Sequence, residues 1–437
     1  MIGAFWRRLA QNRLLDVAAV GLAICASVKL AHDVPARANQ DDFAHYYLSS
    51  RLLLERQNPY TIELIPLYAR YGFVLPPGIA TIRTPNPPLF VSFFTVFARF
   101  VPRAGFVCWV AFEIGCLAII LWQTCRLLGD RLTKRGRLFV CAAAIMSAPL
   151  YWQLIYSQMG LLLTALVVTA YAWRVQEKHV LASVAVAVAG LLKVFPFVLL
   201  PWFLWRGSGS LSKKVMRTAI TTGVIGILVL ATGWQRWLDF VRYIVPQVPG
   251  ASLTPFNFGL PGFVANLGLA VSDILPTSDA AHPWITLGAC VGLLVIGLCY
   301  LVCWWPESDH EAEFCLLCVA VLVGSVRTWG HYLVFLIFPC AVLAMRIAKR
   351  PSWPGIALLT ITLFFLNDVG TREGPMLDQH RLLKVFVNGF PVYGLLALGT
   401  FFLQEVQKRG KCRDAEAGKR ESRLELPANL PGETNVR

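Results

Sequence analysis

The sequence predicts an all-α polytopic membrane protein, a bundle of about ten to twelve transmembrane spans with amphipathic juxtamembrane helices in its first outer loop. Three observations carry that prediction. Of 437 residues, 56% are hydrophobic and 15% are charged, against about 25% charged in ordinary soluble domains. The charge is segregated, with Lys and Arg clustered in short stretches between long uncharged windows. Those windows approach the roughly 20 residues that a helix needs to cross a hydrocarbon core.

The first span, 14–31, follows Arg7, Arg8 and Arg13. Arginines, an apolar run and then Ala36-Arg37-Ala38 resemble a secretory signal. The run is long and many more follow, so an uncleaved span is expected. Further runs cover 88–101, 106–125, 138–154, 160–173, 180–205, 218–233, 284–303, 314–325, 332–347, 355–366 and 385–403. A Gly- and Pro-containing piece, 258–271, is short for a span and reads as re-entrant or interfacial.

The net charge is +15. Its residues flank apolar runs and no nucleic-acid reading motif accompanies them, so anionic lipid headgroups are the expected partners and nucleic acid is not. Basic stretches lie at the N-terminus, at 206–217, at 346–350 and after Gln404. Placing all of them in the cytoplasm puts both ends inside. The basic stretch 126–137 disagrees, because in the twelve-span version it falls outside. If two adjacent segments are half-spans the count becomes ten. Both versions place the loop 32–87 outside. The domain plan is a membrane body over 1–404 and a charged tail over 405–437, expected to be disordered.

The outer loop reads AHYYLSSRLLLERQNPY, then LIPLYARYGF, then TIRTPNPPLF. Apolar residues at helical spacing with Arg and Glu opposite predict helices lying on the membrane surface, the first ended by Asn58-Pro59. The twelve cysteines are scattered. Cys315 and Cys318 form a C-x-x-C inside an apolar helix, and small packing residues are the expected reading.

Candidate chemistry begins at Asp41 and Asp42, adjacent carboxylates leaving the first span. One could act as general base on a sugar hydroxyl; either could instead cap the helix that holds His45, Tyr46 and Tyr47. Lys193 lies in a long apolar run beside Pro196 and Pro201. A charge there is usually paired or in a polar cavity, or it snorkels to the inner interface. Arg327 and His331 are four apart in Ser325–His331; if that stretch is helical they share a face, and Arg suits phosphate. Trp329 lies between them. Gln158 breaks two runs, either as a substrate contact or as a hairpin tip. Asn86 and Arg83 precede the second run, and Asn257 lies in PFNFGLPG. His380 and Arg381 belong to the last outer loop. P-loop, HExxH and G-x-S-x-G motifs do not occur.

Several pieces resemble the GT87-like, DUF2029-type bacterial membrane glycosyltransferases of the GT-C superfamily. DDFAHYYLSSRLLLERQNPY is similar to their opening, and TPNPPLFVSFFTVFARFVP to their entry into the second span, with Asn86 where an aromatic or Pro is common. YSQMGLLLTALVV resembles their Gly-Gln-x-Asn segment, with Ser157 for the Gly and Gly160 for the Asn. AGLLKVFPFVLLP and SVRTWGHYLVFLIFP resemble their Lys-x-x-Pro and Ser-x-x-Trp-x-His segments.

The resemblance implies a polyprenyl-phosphate donor of a hexose, typically mannose, and transfer to an outer glycan or glycolipid with inversion. It puts the site on the outer face of the inner (plasma) membrane. It maps the base to Asp42, with Asp41 second. Arg327, His331 and Lys193 are then expected at the donor phosphate, and Tyr46, Tyr47, Asn86, Gln158, Asn257 and Trp329 at the substrates. No cofactor is required, although Asp41-Asp42 could hold a divalent ion. The alternatives are a transporter or flippase of lipid-linked sugars, and a non-catalytic scaffold.

Overall fold

The structure is a computed structural model. It describes residues 13–37, 41–75, 83–207, 209–247, 257–272, 274, 281–304, 309–367, 377 and 380–424, with side chains at 41 and 408–424 outside the description. All regular structure among the described residues is helical. Helix α1 is Arg13–Asp33, α2 Asp41–Leu54, α3 Ile65–Tyr71, α4 Pro88–Ala98 and α5 Pro102–Leu128. Next come α6 Lys134–Ile145, α7 Ala148–Ile155, α8 Gly160–Val175, α9 His179–Leu192, α10 Leu200–Trp205 and α11 Leu211–Thr232. The rest are α12 Trp234–Asp239, α13 Leu260–Val271, α14 His282–Cys303, α15 His310–Gly324, α16 Ile337–Lys349, α17 Trp353–Asn367, α18 Arg381–Asn388 and α19 Phe390–Leu424.

By length and composition, five of these helical stretches can each cross a bilayer alone: Arg13–Arg37, Pro102–Arg131, Leu211–Thr232, His282–Cys303 and Gly330–Lys349. The number rises to seven if α6–α7 and α18–α19, each bent by 48°, count as single spans. The other apolar helices are 10–17 residues long. This falls below the expected ten to twelve because several apolar runs form helices of 10–17 residues or are bent at a break.

The run 88–101 is one of these. Ser50 Oγ donates to Val91 O (2.9 Å), Arg51 Nη1 to Ala98 O (3.4 Å) and Tyr47 Oη to Phe100 O (2.8 Å). Helix α4 is therefore bonded along α2, and at 11 residues it is short for a crossing. Nor does α2 lie on a surface. Phe43, Ala44, Tyr46, Tyr47, Leu48, Ser49, Ser50 and Leu52 are all buried, so it is wedged into the body.

The run 180–205 is a hairpin and not the single span expected. Helix α9 ends at Lys193, whose backbone is extended (φ −154°, ψ 130°). A 3₁₀ turn, Phe195–Leu199, and then α10 lead the chain back, with Pro196 and Pro201 at their starts, where a missing N–H costs nothing. The arms close at Gly190, where a Cβ would lie 2.6 Å from the Phe197 ring. Arg174, at the end of α8, donates to Arg206 O at 2.6 Å, so the hairpin returns to the level from which α9 departed.

A cluster of ion pairs lies at one end of the bundle. Arg131 meets Glu311 at 2.6 Å, and Arg346 meets Asp309 (2.8 Å), Glu311 (3.0 Å) and Glu405 (2.8 Å). Arg206 meets Glu313 at 2.7 Å, and Arg135 meets Asp16 at 2.5 Å. The stretch 126–137, which the span count had put outside, thus shares an end with 206–217 and 346–350. The charge rule is then obeyed by all three. At the tail, the backbone stays helical to Leu424.

Candidate active site

The site is built at the opposite end, where α2 meets the α7–α8 turn. Asp42, His45, Tyr46 and Ser49 share one face of α2 by helical spacing. Asp42 lies inside the helix, and its carboxylate accepts a hydrogen bond from Gln158 Nε2. Tyr46 Oη donates to Gln158 Oε1 at 2.8 Å. Gln158 is buried, so it is no solvated hairpin tip: its amide spans Asp42 and Tyr46, and its orientation is fixed by both. Asp42 keeps 23% of its side chain exposed, with His45 Nδ1 3.9 Å from Oδ1. Burial lowers the His45 pKa below the usual imidazole value, and Asp42 opposes that shift. Burial raises the Tyr46 pKa well above the usual phenol value, with Asp42 and Tyr332 adding to it. Tyr46 therefore stays a neutral donor.

Behind Gln158 is a support that the sequence reading missed. Glu113, in the middle of α5 and buried, accepts from Leu161 N (3.2 Å), Leu162 N (3.2 Å) and Gln153 Nε2 (2.9 Å). It caps the first turn of α8, where free N–H groups and the helix dipole favour an acceptor. Gln153 Nε2 also donates to Gln158 O, and Trp109 Nε1 donates to Ser157 O at 2.8 Å. Ser157 has φ 51°, a left-handed conformation that favours glycine. At Gly160 a Cβ would lie 2.4 Å from Gln153 Oε1; Gln153 fills the space into which a side chain there would grow. The readable signal for Glu113 was a lone carboxylate inside an apolar run.

The second part of the site is Ser325–Leu336. Its start is not helical: Ser325–Trp329 is irregular and a 3₁₀ helix begins at Gly330, so Arg327 and His331 do not share a helix face. Asn257 holds this segment. Its Oδ1 accepts from Thr328 N (2.8 Å) and Gly259 N (3.1 Å), and its Nδ2 donates to Val326 O (2.7 Å). The clamp leaves Arg327 Nε, Trp329 Nε1 and His331 Nε2 buried without hydrogen-bond partners among the described residues. Buried polar groups are almost always paired; Arg327 Nε and Trp329 Nε1 can only donate, and the His331 nitrogen donates or accepts according to its tautomer. Arg327 stacks over Trp329 at 5.2 Å, and the His331 and Trp329 rings are 5.4 Å apart.

Lys193 reaches this segment from the hairpin tip. Its Nζ lies 4.5 Å from the Tyr332 ring centroid, and its charge acts on His331. The hairpin carries Lys193 away from the charged end, which rules out snorkelling to it. Tyr156, two residues before Gln158, joins the two halves, its ring 6.1 Å from His331.

Other expected substrate contacts are placed differently. Tyr47 points away from Asp42, into Phe43, Tyr71 and Phe73, and ties α2 to the α4–α5 turn. Asn257 spends its amide on backbone. Asn86 is buried, its Nδ2 unpartnered among the described residues and its backbone carbonyl held by Tyr60 Oη at 2.7 Å. The side chain of Asp41 lies outside the described residues. Among them, no three His, Cys, Asp or Glu side chains are grouped to hold a metal ion.

The chain is similar to a probable glycerol uptake facilitator protein of Thermotoga maritima, at 28% identity over 124 residues. That match takes in 28% of the chain. The chain spans about half (48%) of the length of that curated relative. No solved structure matches. The profile of glycosyltransferase family 87 matches residues 84–339, a stretch holding Glu113, Gln158, Lys193, Asn257 and Arg327–His331. This covers more than half of the sequence, and the chain belongs to glycosyltransferase family 87.

Proposed function

We propose that this glycosyltransferase transfers a hexosyl group, mannosyl in the first instance, from a polyprenyl-phosphate donor to an outer glycan or glycolipid acceptor, with inversion. The observation that carries the reading is the pairing of a pinned, part-exposed carboxylate with a neighbouring segment of unpartnered donors. Asp42 is the base. Gln158 occupies Oδ2, which leaves Oδ1 for the acceptor hydroxyl. The acceptor oxygen attacks C1 of the sugar as its proton passes to Asp42, and the C1–O bond to the lipid phosphate breaks. Charge developing on the phosphate is met by Arg327, His331 and Lys193, with Trp329 as a further donor, in a setting shielded from water where such groups act strongly. Tyr46 and Asn86 serve the substrates directly or by holding Gln158 and the outer loop. The grouping of 126–137, 206–217 and 346–350 at the far end supports a site on the extracytoplasmic face of the inner (plasma) membrane.

The test is Asp42→Asn in purified protein, assayed with polyprenyl-phosphate hexoses and a membrane acceptor extract. A positioned general base contributes roughly 10²–10⁴-fold, so transfer should fall by that factor while insertion and thermal stability persist. Full activity in Asp42→Asn overturns the reading. Movement of lipid-linked sugar across liposomes without a covalent product would replace it with transport.

A further inference from the structure

At the charged end, three arginines surround the C-terminus of α10 against one carboxylate. Glu313 is fully buried and already saturated. Arg206 Nη2 donates to it at 2.7 Å, Trp202 Nε1 at 2.7 Å, and His310 lies at 3.2 Å. Arg174 and Arg217 are buried too, at 7% and 4% exposure, and neither forms an ion pair with a carboxylate among the described residues. Arg174 donates through Nη2 to Arg206 O at 2.6 Å and stacks on Trp202 at 4.0 Å. Arg217 donates through Nη2 to Leu204 O. The two guanidiniums thus sit on carbonyls two residues apart, and their charges act on each other.

Each keeps an unused donor: among the described residues, Arg174 Nη1 and Arg217 Nε are buried without partners, as is Nδ1 of His179, which feels both charges. A buried cation without its own counter-ion is costly, and carbonyl dipoles, an aromatic face and the charge of Glu313, which Arg206 already engages, offset only part of that cost. The loop is shaped around the group: Gly207 has φ 98°, and a Cβ there would lie 2.9 Å from Arg174 Nη2.

We propose that Arg174, Arg217 and His179 form a second anion site, selective for a phosphate group, at the end of the bundle opposite Asp42. Guanidinium forks match phosphate oxygens. The phosphate comes either from an anionic lipid headgroup or from a free phosphate ester, and the site is independent of the transfer chemistry proposed above.

The experiment measures thermal unfolding of the full chain in two arms. In neutral-detergent micelles, inorganic phosphate is titrated against chloride at constant ionic strength. In nanodiscs, phosphatidylcholine alone is compared with phosphatidylcholine carrying phosphatidylglycerol. A ligand at about 100 times its Kd should raise Tm by on the order of 5 °C. A saturable rise in the first arm assigns a free-phosphate site, and a rise confined to the second assigns a lipid headgroup. In either case, Arg174→Gln with Arg217→Gln should abolish the rise, and Arg217→Lys, which keeps the charge and loses the fork, should weaken it. A wild-type Tm that responds in neither arm overturns the proposal without need of any variant. So does a response that survives the double substitution.

Discussion

Replacing Glu113 by Gln tests whether the Asp42 carboxylate is set from behind. Glu113 offers Oε2 to Leu161 N and Gln153 Nε2, and Oε1 to Leu162 N. An amide of the same shape keeps two of these bonds if its oxygen takes the Oε2 position. Its NH₂ then faces Leu162 N, leaving one buried donor unpaired at a cost of about 1–3 kcal/mol. Relieving that clash moves the first turn of α8 or Gln153, and Gln153 holds Gln158 O. A displacement near 1 Å at a reacting group can cost about 10²-fold. The expected outcome is kcat down roughly 10- to 100-fold with KM for the donor almost unchanged, because the donor-rich segment around Arg327 is untouched. The assay is a double-mutant cycle with Gln158→Ala. If Glu113 acts through Gln158, the second substitution adds little to the first. Independent, multiplicative losses would refute the reasoning, as would wild-type kcat in Glu113→Gln while Asp42→Asn is inactive.

Two further outcomes follow from the same turn and from its neighbour on α2. Ser157 is held at φ 51°, so Ser157→Gly should relieve about 1 kcal/mol of backbone strain and raise Tm with transfer retained; a fall in Tm would show that the hydroxyl, which donates to Leu154 O at 3.4 Å, outweighs the strain. His45 titrates below the usual imidazole value in the folded protein, first because it is buried, with Asp42 opposing. The unfolded chain therefore binds the proton more readily, and stability falls as pH drops below about 6.5, down to the lower folded value. Tm measured from pH 7.5 to 5 should show this slope, and His45→Gln should flatten it; an unchanged slope in the variant assigns the effect elsewhere.

The sequence made the helical membrane class legible because bilayer solubility acts on composition directly. Crossings were harder to read, and the reason is physical. Hydropathy registers how apolar a run is, not where its ends lie. The run 180–205 is apolar throughout, yet its direction reverses at one extended residue, Lys193, and the return is held by contacts distant in sequence, such as the bond from Arg174 to Arg206 O. The run 88–101 is equally apolar but is claimed by Tyr47, Ser50 and Arg51 of α2, whose spacing gave no hint of a partner. Ion pairs then settle what charge counting could not: Arg131 and Arg346 share Glu311, so their loops lie at one end.

The candidate site divides along the same line. Residues whose chemistry is costly in a membrane could be found singly: Asp42, Lys193, Arg327 and His331 are charged or titratable groups beside apolar runs. What they do could not be read, because their partners are amides and aromatic rings that look ordinary in sequence. Gln158 had the bland reading of a hairpin tip, and Gln153 carried no signal at all. Glu113 had the strongest signal of the missed residues and no motif to attract notice. The substitutions at positions 157 and 160 bear this out. In sequence, Ser157 and Gly160 are departures from the family's Gly-Gln-x-Asn pattern. Placed in the fold, they concern support: Ser157 sits in a glycine-favouring conformation held by Trp109, and Gly160 leaves space that Gln153 fills. Both departures act on how Gln158 is held, so their effect should appear first in the positioning of Asp42 and only through it in the choice of substrate.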